Sequence, residues 1–211
     1  MKTIQLGTSG LAVPAVAIGC MRINRLEQKT AATFIRTALE AGANFFDHAD
    51  IYGGGACESQ FAAAIEMNST IRESMILQSK CGIRKGEFDF SREHILASVD
   101  GSLKRLKTDY LDVLLLHRPD ALVEPEEVAE AFDRLHQSGK VRHFGVSNQK
   151  PMQIRLLQKY IHQPIVANQL QLSITNATMI SNGVHVNMLD DTAIDRDGSI
   201  LDFCRLEDIT I

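Results

Sequence analysis

The stretch Tyr110 to His117, YLDVLLLH, constrains the fold more than any other. A nearly continuous aliphatic strand has no polar face to turn toward water. It must be covered on both sides, which is the situation of a strand in a parallel sheet. The neighbouring segments supply the cover. From Glu27 onward, Ala31, Phe34, Ile35, Ala38 and Leu39 fall at helical spacing and form one apolar stripe, and Gly42 stands where a left-handed C-cap is wanted. Ser91 is a good N-cap for a helix whose Ile95, Leu96, Val99, Leu103 and Leu106 share a face. Pro125 with Glu126 and Glu127 suits another helix's first turn, and Gly139 ends that helix.

Strands alternate with these helices. Thr3 to Leu6 and Leu11 to Val16 read as a hairpin cap about a Gly-bounded turn, followed by an apolar strand at Val16 to Gly19. Asn44 to Ala49, Met75 to Lys80, Tyr110 to His117, Val141 to Ser147 and Ile165 to Leu170 read as further strands, with helices at about Glu58 to Met67 and at Pro151 to Tyr160. Six β units in tandem, five of them separated by single helices and with no flexible linker, predict one α/β domain over residues 1–211 with a parallel sheet. The pattern alone leaves a doubly wound sheet and a (β/α)8 barrel both open. Ser173 to Ser199 is polar, reads as a long loop, and is followed by a short helix at about Ile200 to Leu206. The chain stops at Ile211, inside what reads as a seventh strand, and this ending is expected to be a truncation.

Composition bounds the function. An apolar fraction of 45% with 23% charged residues places the chain among soluble globular proteins. The net charge of −4 carries no block of like charge, which argues against nucleic acid or a membrane surface and for a small ligand. Cys20, Cys57, Cys81 and Cys204 form no CxxC pair, so the reading is a reducing compartment, the cytoplasm, with no zinc site or disulfide framework. The N-terminus lacks the apolar core of a signal peptide, and the longest aliphatic run, Val113 to Leu116, is too short to cross a bilayer.

Chemistry concentrates at strand ends. The segment Asn44 to Ser59, NFFDHADIYGGGACES, is an apolar strand running into a polar loop, with Asp47 at its end and Tyr52 just beyond. Lys80 ends the next strand and His117 the one after. Parallel strands deliver these side chains to one carboxyl rim, where α/β folds place their sites. Each alone has an ordinary explanation, a solvated Lys or a satisfied His. A buried Lys and Asp must pair, however, and a structural pair does not also require a Tyr and a His beside it. The set suits proton delivery to a carbonyl oxygen. A free phenol, with a pKa near ~10, is a reluctant acid, and a neighbouring ammonium helps by stabilising the phenolate. Lys80 would fill that role, Asp47 would hold the Lys, and a neutral His117 would polarise the substrate oxygen. No ligand spacing calls for a metal. No side chain supplies a hydride, so a nicotinamide cofactor is implied.

These motifs, FFDHADIYGGG, LQSK, LDVLLLHRPD, GKVRHFGVSN and NQLQ, resemble in order those of the aldo-keto reductases, in their bacterial oxidoreductase branch. The resemblance implies a (β/α)8 TIM barrel, here incomplete with about six to seven β/α units, and NADPH-dependent reduction of an aldehyde or ketone. By position, Asp47, Tyr52, Lys80 and His117 match the family's catalytic four, with Tyr52 as the acid. Ser147, Asn148 and Gln169 match the residues that hold the nicotinamide carboxamide; Asp47 and Met21 are placed beside the cofactor as well. The resemblance also implies that the eighth strand and the grip on the 2′-phosphate and adenine lie beyond Ile211. The alternative reading is an inactive fragment, or a non-catalytic binding or regulatory protein on the same scaffold.

Simpler readings stand beside several of these assignments. Ser147-Asn148 ahead of Pro151 is also a good helix N-cap, and Gly53 to Gly55 lacks phosphate-loop spacing and reads as a sharp turn. Glu58 reads as a helix opener with its charge at the dipole's positive end. His94, His136, His143, His162 and His185 read as surface or structural residues without visible partners.

Overall fold

The computed structural model describes residues 1–189, 191 and 194–211. In chain order the elements are β1 (Thr3–Gln5), β2 (Ala12–Pro14), β3 (Ile18–Gly19), α1 (Gln28–Glu40), β4 (Phe45–Asp47), α2 (Ala56–Ala64), α3 (Ser69–Glu73), β5 (Ile76–Cys81), β6 (Ile83–Arg84), β7 (Glu87–Phe88) and α4 (Arg92–Leu106). They continue with β8 (Leu111–Leu116), α5 (Pro125–Gln137), β9 (Val141–Ser147), α6 (Pro151–Gln158), β10 (Ile165–Gln169), α7 (Thr178–Ser181) and α8 (Ile200–Leu206).

The main sheet has six strands in the order β10-β9-β8-β5-β4-β3, each parallel to its neighbour. Consecutive parallel strands joined by outer helices form the open arc of an incomplete (β/α)8 barrel. A seventh position is begun at Thr210, which bridges Ala167 in parallel: the Asn168 N–H donates to the Thr210 carbonyl at 2.9 Å and the Thr210 N–H to the Val166 carbonyl at 3.1 Å.

The aliphatic run in β8 behaves as its composition demands. Val113 and Leu115 point into the arc, where they pack with Phe45, Ile76, Val166 and Ala167. Leu114 and Leu116 point outward into the helix-covered core with Phe46, Phe61 and Phe144. The hairpin β1–β2 closes the amino end of the arc by burying Leu6 and Val13 in the inner cluster. Its turn is tied down at Gly7, whose N–H donates to Thr210 Oγ1 at 2.7 Å. A Cβ at Gly7 would lie 2.4 Å from the Val166 carbonyl oxygen, so only glycine permits this approach.

The differences from the sequence reading have local causes. Phe34 is 41% exposed, because the buried stripe of α1 is centred on Ala31, Ala32, Ile35 and Ala38, and Phe34 falls at its margin. The helix expected at about Glu58 to Met67 is α2, which starts two residues earlier and ends at Ala64; the short helix α3 that follows it was not anticipated. The chain turns at Glu66, with φ +53, and Asn68 starts a new helix by accepting the Ile71 N–H at 3.1 Å. The short hairpin β6–β7 was not anticipated. The stretch read as a loop at 173–199 contains the short helix α7; Asp190, Thr192 and Ala193 of that stretch lie outside the described residues. Among the described residues no helix is long and apolar enough to cross a membrane.

Candidate functional site

β4, β5, β8, β9 and β10 all end at the same rim, and a cleft of about 620 Å³ opens there. Its wall includes Met21, Tyr52, Lys80, His117, Ser147, Asn148 and Gln169. Asp47 lies directly behind Lys80, so every residue singled out by position in the sequence is brought to one place.

The centre is a buried ion pair. Lys80 Nζ donates to Asp47 Oδ1 at 2.6 Å, to the His48 carbonyl at 2.9 Å and to Tyr52 Oη at 3.1 Å. The Lys80 side chain is 2% exposed and that of Asp47 9%. A charge taken out of water this far is tolerated only with a partner and satisfied hydrogen bonds. Gln78 Nε2 also donates to Asp47 Oδ1, at 2.6 Å, and Gln169 Nε2 to Oδ2, at 3.1 Å. With all three donors of Lys80 engaged, the ammonium is fixed in place under the phenol. Tyr52 accepts from Lys80, which leaves its own O–H free to donate into the cleft.

Tyr52 is carried by the glycine turn. Gly53, Gly54 and Gly55 have φ of +59°, +63° and +90°, a left-handed run that side-chain-bearing residues enter only at a cost. The turn swings the phenol back over β5 and sets its ring edge-on to His117, with centroids 5.7 Å apart. His117 is half-buried, and its Nδ1 has no hydrogen-bond partner among the described residues. Burial, reinforced by the Lys80 and Arg118 charges, pushes its pKa down to about 4, so the ring is neutral at neutral pH.

On the opposite wall, Ser147 Oγ donates to the Gln169 carbonyl at 3.0 Å and Asn148 Nδ2 donates to Ser147 Oγ at 2.8 Å. These contacts correct the helix-cap reading of Ser147-Asn148. Helix α6 is capped at Lys150, whose N–H is accepted by Gln153 Oε1 at 2.9 Å, and Asn148 sits in the left-handed region with φ +58°. The remaining side-chain oxygen of Gln169, Oε1, is buried and without a partner among the described residues.

Other residues depart from their sequence reading. Glu58 is in the first turn of α2 but fully buried; Ser79 Oγ donates to its Oε1 at 2.6 Å and Arg105 Nε to its Oε2 at 2.7 Å. His162 Nδ1 lies within hydrogen-bond distance of Asp133 Oδ2, at 3.2 Å, His94 meets Ser98 at 3.4 Å, and His185 also has a partner. Gln78 was missed, although its place two residues before Lys80 puts it on the same face of β5. His48, fully buried edge-on to Phe61, is pushed by burial to a pKa of about 3. Asp50, two residues before Tyr52, is pushed up to about 6 by burial, with a hydrogen bond to Ser98 opposing the shift.

A parallel barrel arc with this rim defines a class. The chain belongs to the aldo/keto reductase family, whose family model matches residues 4–195. It is 44% identical over 185 residues to the uncharacterized oxidoreductase YcsN of Bacillus subtilis, covering 82% of this chain and 61% of that one. It is 45% identical over 159 residues to oxidoreductase YdhF of Escherichia coli, covering 72% and 53% respectively. Among solved structures it is similar to the holo form of aldo-keto reductase AKR11C1 from Bacillus halodurans, with a TM-score of 0.72, 34% identity and coverage of 82% and 58%. The chain therefore spans little more than half the length of these relatives.

Proposed function

We propose that the chain carries the carbonyl-reducing site of an NADPH-dependent oxidoreductase acting on a small aldehyde or ketone, with Tyr52 as the general acid. The observation that carries this reading is the position of Lys80 Nζ, 2.6 Å from Asp47 Oδ1 and 3.1 Å from Tyr52 Oη, with the Lys80 and Asp47 side chains buried. The ammonium stabilises the negative charge that grows on the phenol oxygen as its proton leaves, and Asp47 with Gln78 holds the ammonium against that oxygen. The neutral His117 ring beside Tyr52 orients the substrate oxygen toward the phenol and adds a second polar contact. The wall opposite fits a nicotinamide carboxamide, because the buried Gln169 Oε1 lacks a donor and Ser147 and Asn148 stand beside it. When bound there, the cofactor supplies the hydride.

The test is loss of NADPH absorbance with a reactive aldehyde. Tyr52→Phe is expected to reduce the rate by roughly 10² to 10⁴ while leaving NADPH affinity nearly unchanged, since only the transferable proton is removed. Retention of most of the activity by Tyr52→Phe would remove Tyr52 from this role.

A further inference from the structure

We infer that Arg118 makes the cleft selective for an anion, so that the carbonyl compound accepted here carries a carboxylate or phosphate a few bonds from its carbonyl carbon; this rests on the cleft being the carbonyl-reducing site. Arg118 follows His117 directly and lines the cleft as an exposed residue. Among the described residues its guanidinium has no ion pair and no side-chain hydrogen bond. The wall holds two cations, Lys80 and Arg118, and no carboxylate. Lys80 is neutralised from behind by Asp47 at 2.6 Å, so the uncompensated charge facing the cleft is that of Arg118. The nearest acidic residue in sequence, Asp120, is committed elsewhere: its Oδ2 accepts the Phe90 N–H at 3.1 Å and its Oδ1 the Leu122 N–H at 2.9 Å.

That charge acts on the site itself, since it contributes to holding His117 neutral. A bare guanidinium in the wall also runs against the chain's net charge of −4. Its planar fork offers paired N–H donors to a carboxylate or phosphate, and its charge favours such a group over a neutral hydroxyl. An anion held at Arg118 would lie one residue from His117, with the carbonyl end of the same molecule directed at Tyr52.

The experiment separates binding from turnover. para-(Hydroxymethyl)benzoate and its methyl ester share ring and alcohol and differ in charge; each is titrated into the full chain by calorimetry or NMR. The carboxylate is expected to bind roughly tenfold more tightly than the ester. Arg118→Met should bring the two near parity and Arg118→Lys should keep part of the preference. Thermal melting should be unchanged in both variants, as befits an exposed side chain. Absence of a preference in the unmodified chain, including failure of both compounds to bind, overturns the inference, as does an equal preference in Arg118→Met. Weaker NADPH binding by Arg118→Met with an unaltered carboxylate preference would assign the guanidinium to a cofactor phosphate and overturn it too. The two corresponding aldehydes then test the underlying reading. Reduction of both with equal kcat/KM keeps the carbonyl-reducing site and discards the anion selectivity. A carboxylate preference in binding with neither aldehyde reduced keeps the anion site and discards the reductase reading.

Discussion

Ser79 Oγ donates to Glu58 Oε1 at 2.6 Å with both side chains fully shielded from water. Ser79 is the residue before Lys80, so this contact ties the strand that carries the lysine to the first turn of α2, just after the glycine turn that carries Tyr52. Arg105 of α4 completes the tie by donating to Glu58 Oε2, and its side chain packs against Gly55, where a Cβ would lie 2.8 Å away. Glu58 thereby opens α2, as its place in the first turn requires, and also positions the strand and the turn that carry Lys80 and Tyr52.

Removing Glu58 strands two donors. Glu58→Ala leaves Arg105 Nε and the buried Ser79 Oγ without their acceptor, although Arg105, whose side chain is 29% exposed, still donates to Ser102 Oγ at 3.3 Å. Breaking a buried pair from one side costs about 3 to 5 kcal/mol, and the partial exposure of Arg105 places the expected loss near about 3 kcal/mol. Urea unfolding of Glu58→Ala against the unmodified chain measures it. A loss no larger than that of an ordinary surface substitution would show that the tie contributes nothing.

The Lys80–Asp47 pair is expected to be strongly coupled. Lys80→Met leaves the Asp47 carboxylate in an apolar setting with only Gln78 and Gln169 as donors, and Asp47→Asn leaves the ammonium without its counter-charge. Each single change is expected to cost about 3 kcal/mol or more, whereas the double change, which removes both charges, should cost well under the sum. A double-mutant cycle by chemical denaturation checks this, and additive losses would mean the pair does not interact as described.

Much of this site was legible because one rule generates it. Parallel strands end at one rim, so Asp47, Lys80 and His117 could be placed together from the ends of three apolar runs, and Tyr52 followed from its loop. Gln78 could have been found by the same alternation that sets Lys80 inward. The contacts of Glu58 could not. They join residues 21 and 47 positions apart across the helix layer, and no local spacing encodes which helix face meets which strand. The short helix α3 went unread because its one local signal is the capping Asn68, and Ser69–Glu73 holds too few apolar residues to form a stripe. Arg118 was passed over because a charged residue after a strand is ordinarily solvated; its isolation appears only when the partners of Asp120 and Lys80 are known.

Acid should weaken the fold through its buried histidines. The pKa values of His48 and His117 in the folded chain lie at about 3 and about 4, against an ordinary value of 6.5. Between those values the unfolded chain binds protons that the folded chain refuses. Stability is therefore full above about pH 6.5 and falls as pH drops toward the folded values. For His48 alone the loss at about pH 4 is on the order of 3 kcal/mol. His94 and His143 shift in the same direction. Unfolding free energy measured across this range should fall less steeply in His48→Phe, whose ring can keep the edge contact with Phe61. An unchanged slope would mean that His48 is not held neutral.

Asp50 is expected to act with the opposite sign. Its folded pKa, about 6, lies above the ordinary 3.8, because the carboxyl is shielded and Glu58 adds a like charge, while Ser98 and Arg105 relieve only part of the cost. The folded chain holds this proton between about pH 4 and 6 where the unfolded chain releases it. The contribution is therefore present below about pH 4 and lost as pH rises through 6. At neutral pH the ionised carboxylate is a burden on the loop that carries Tyr52. Asp50→Asn, isosteric and uncharged, should raise stability at pH 7 by on the order of 3 kcal/mol and leave it nearly unchanged at about pH 4. Thermal unfolding of the variant at the two pH values decides the matter: equal effects at both, or destabilisation at pH 7, would show that the Asp50 carboxylate is stabilised where it lies and that its charge helps to hold the loop.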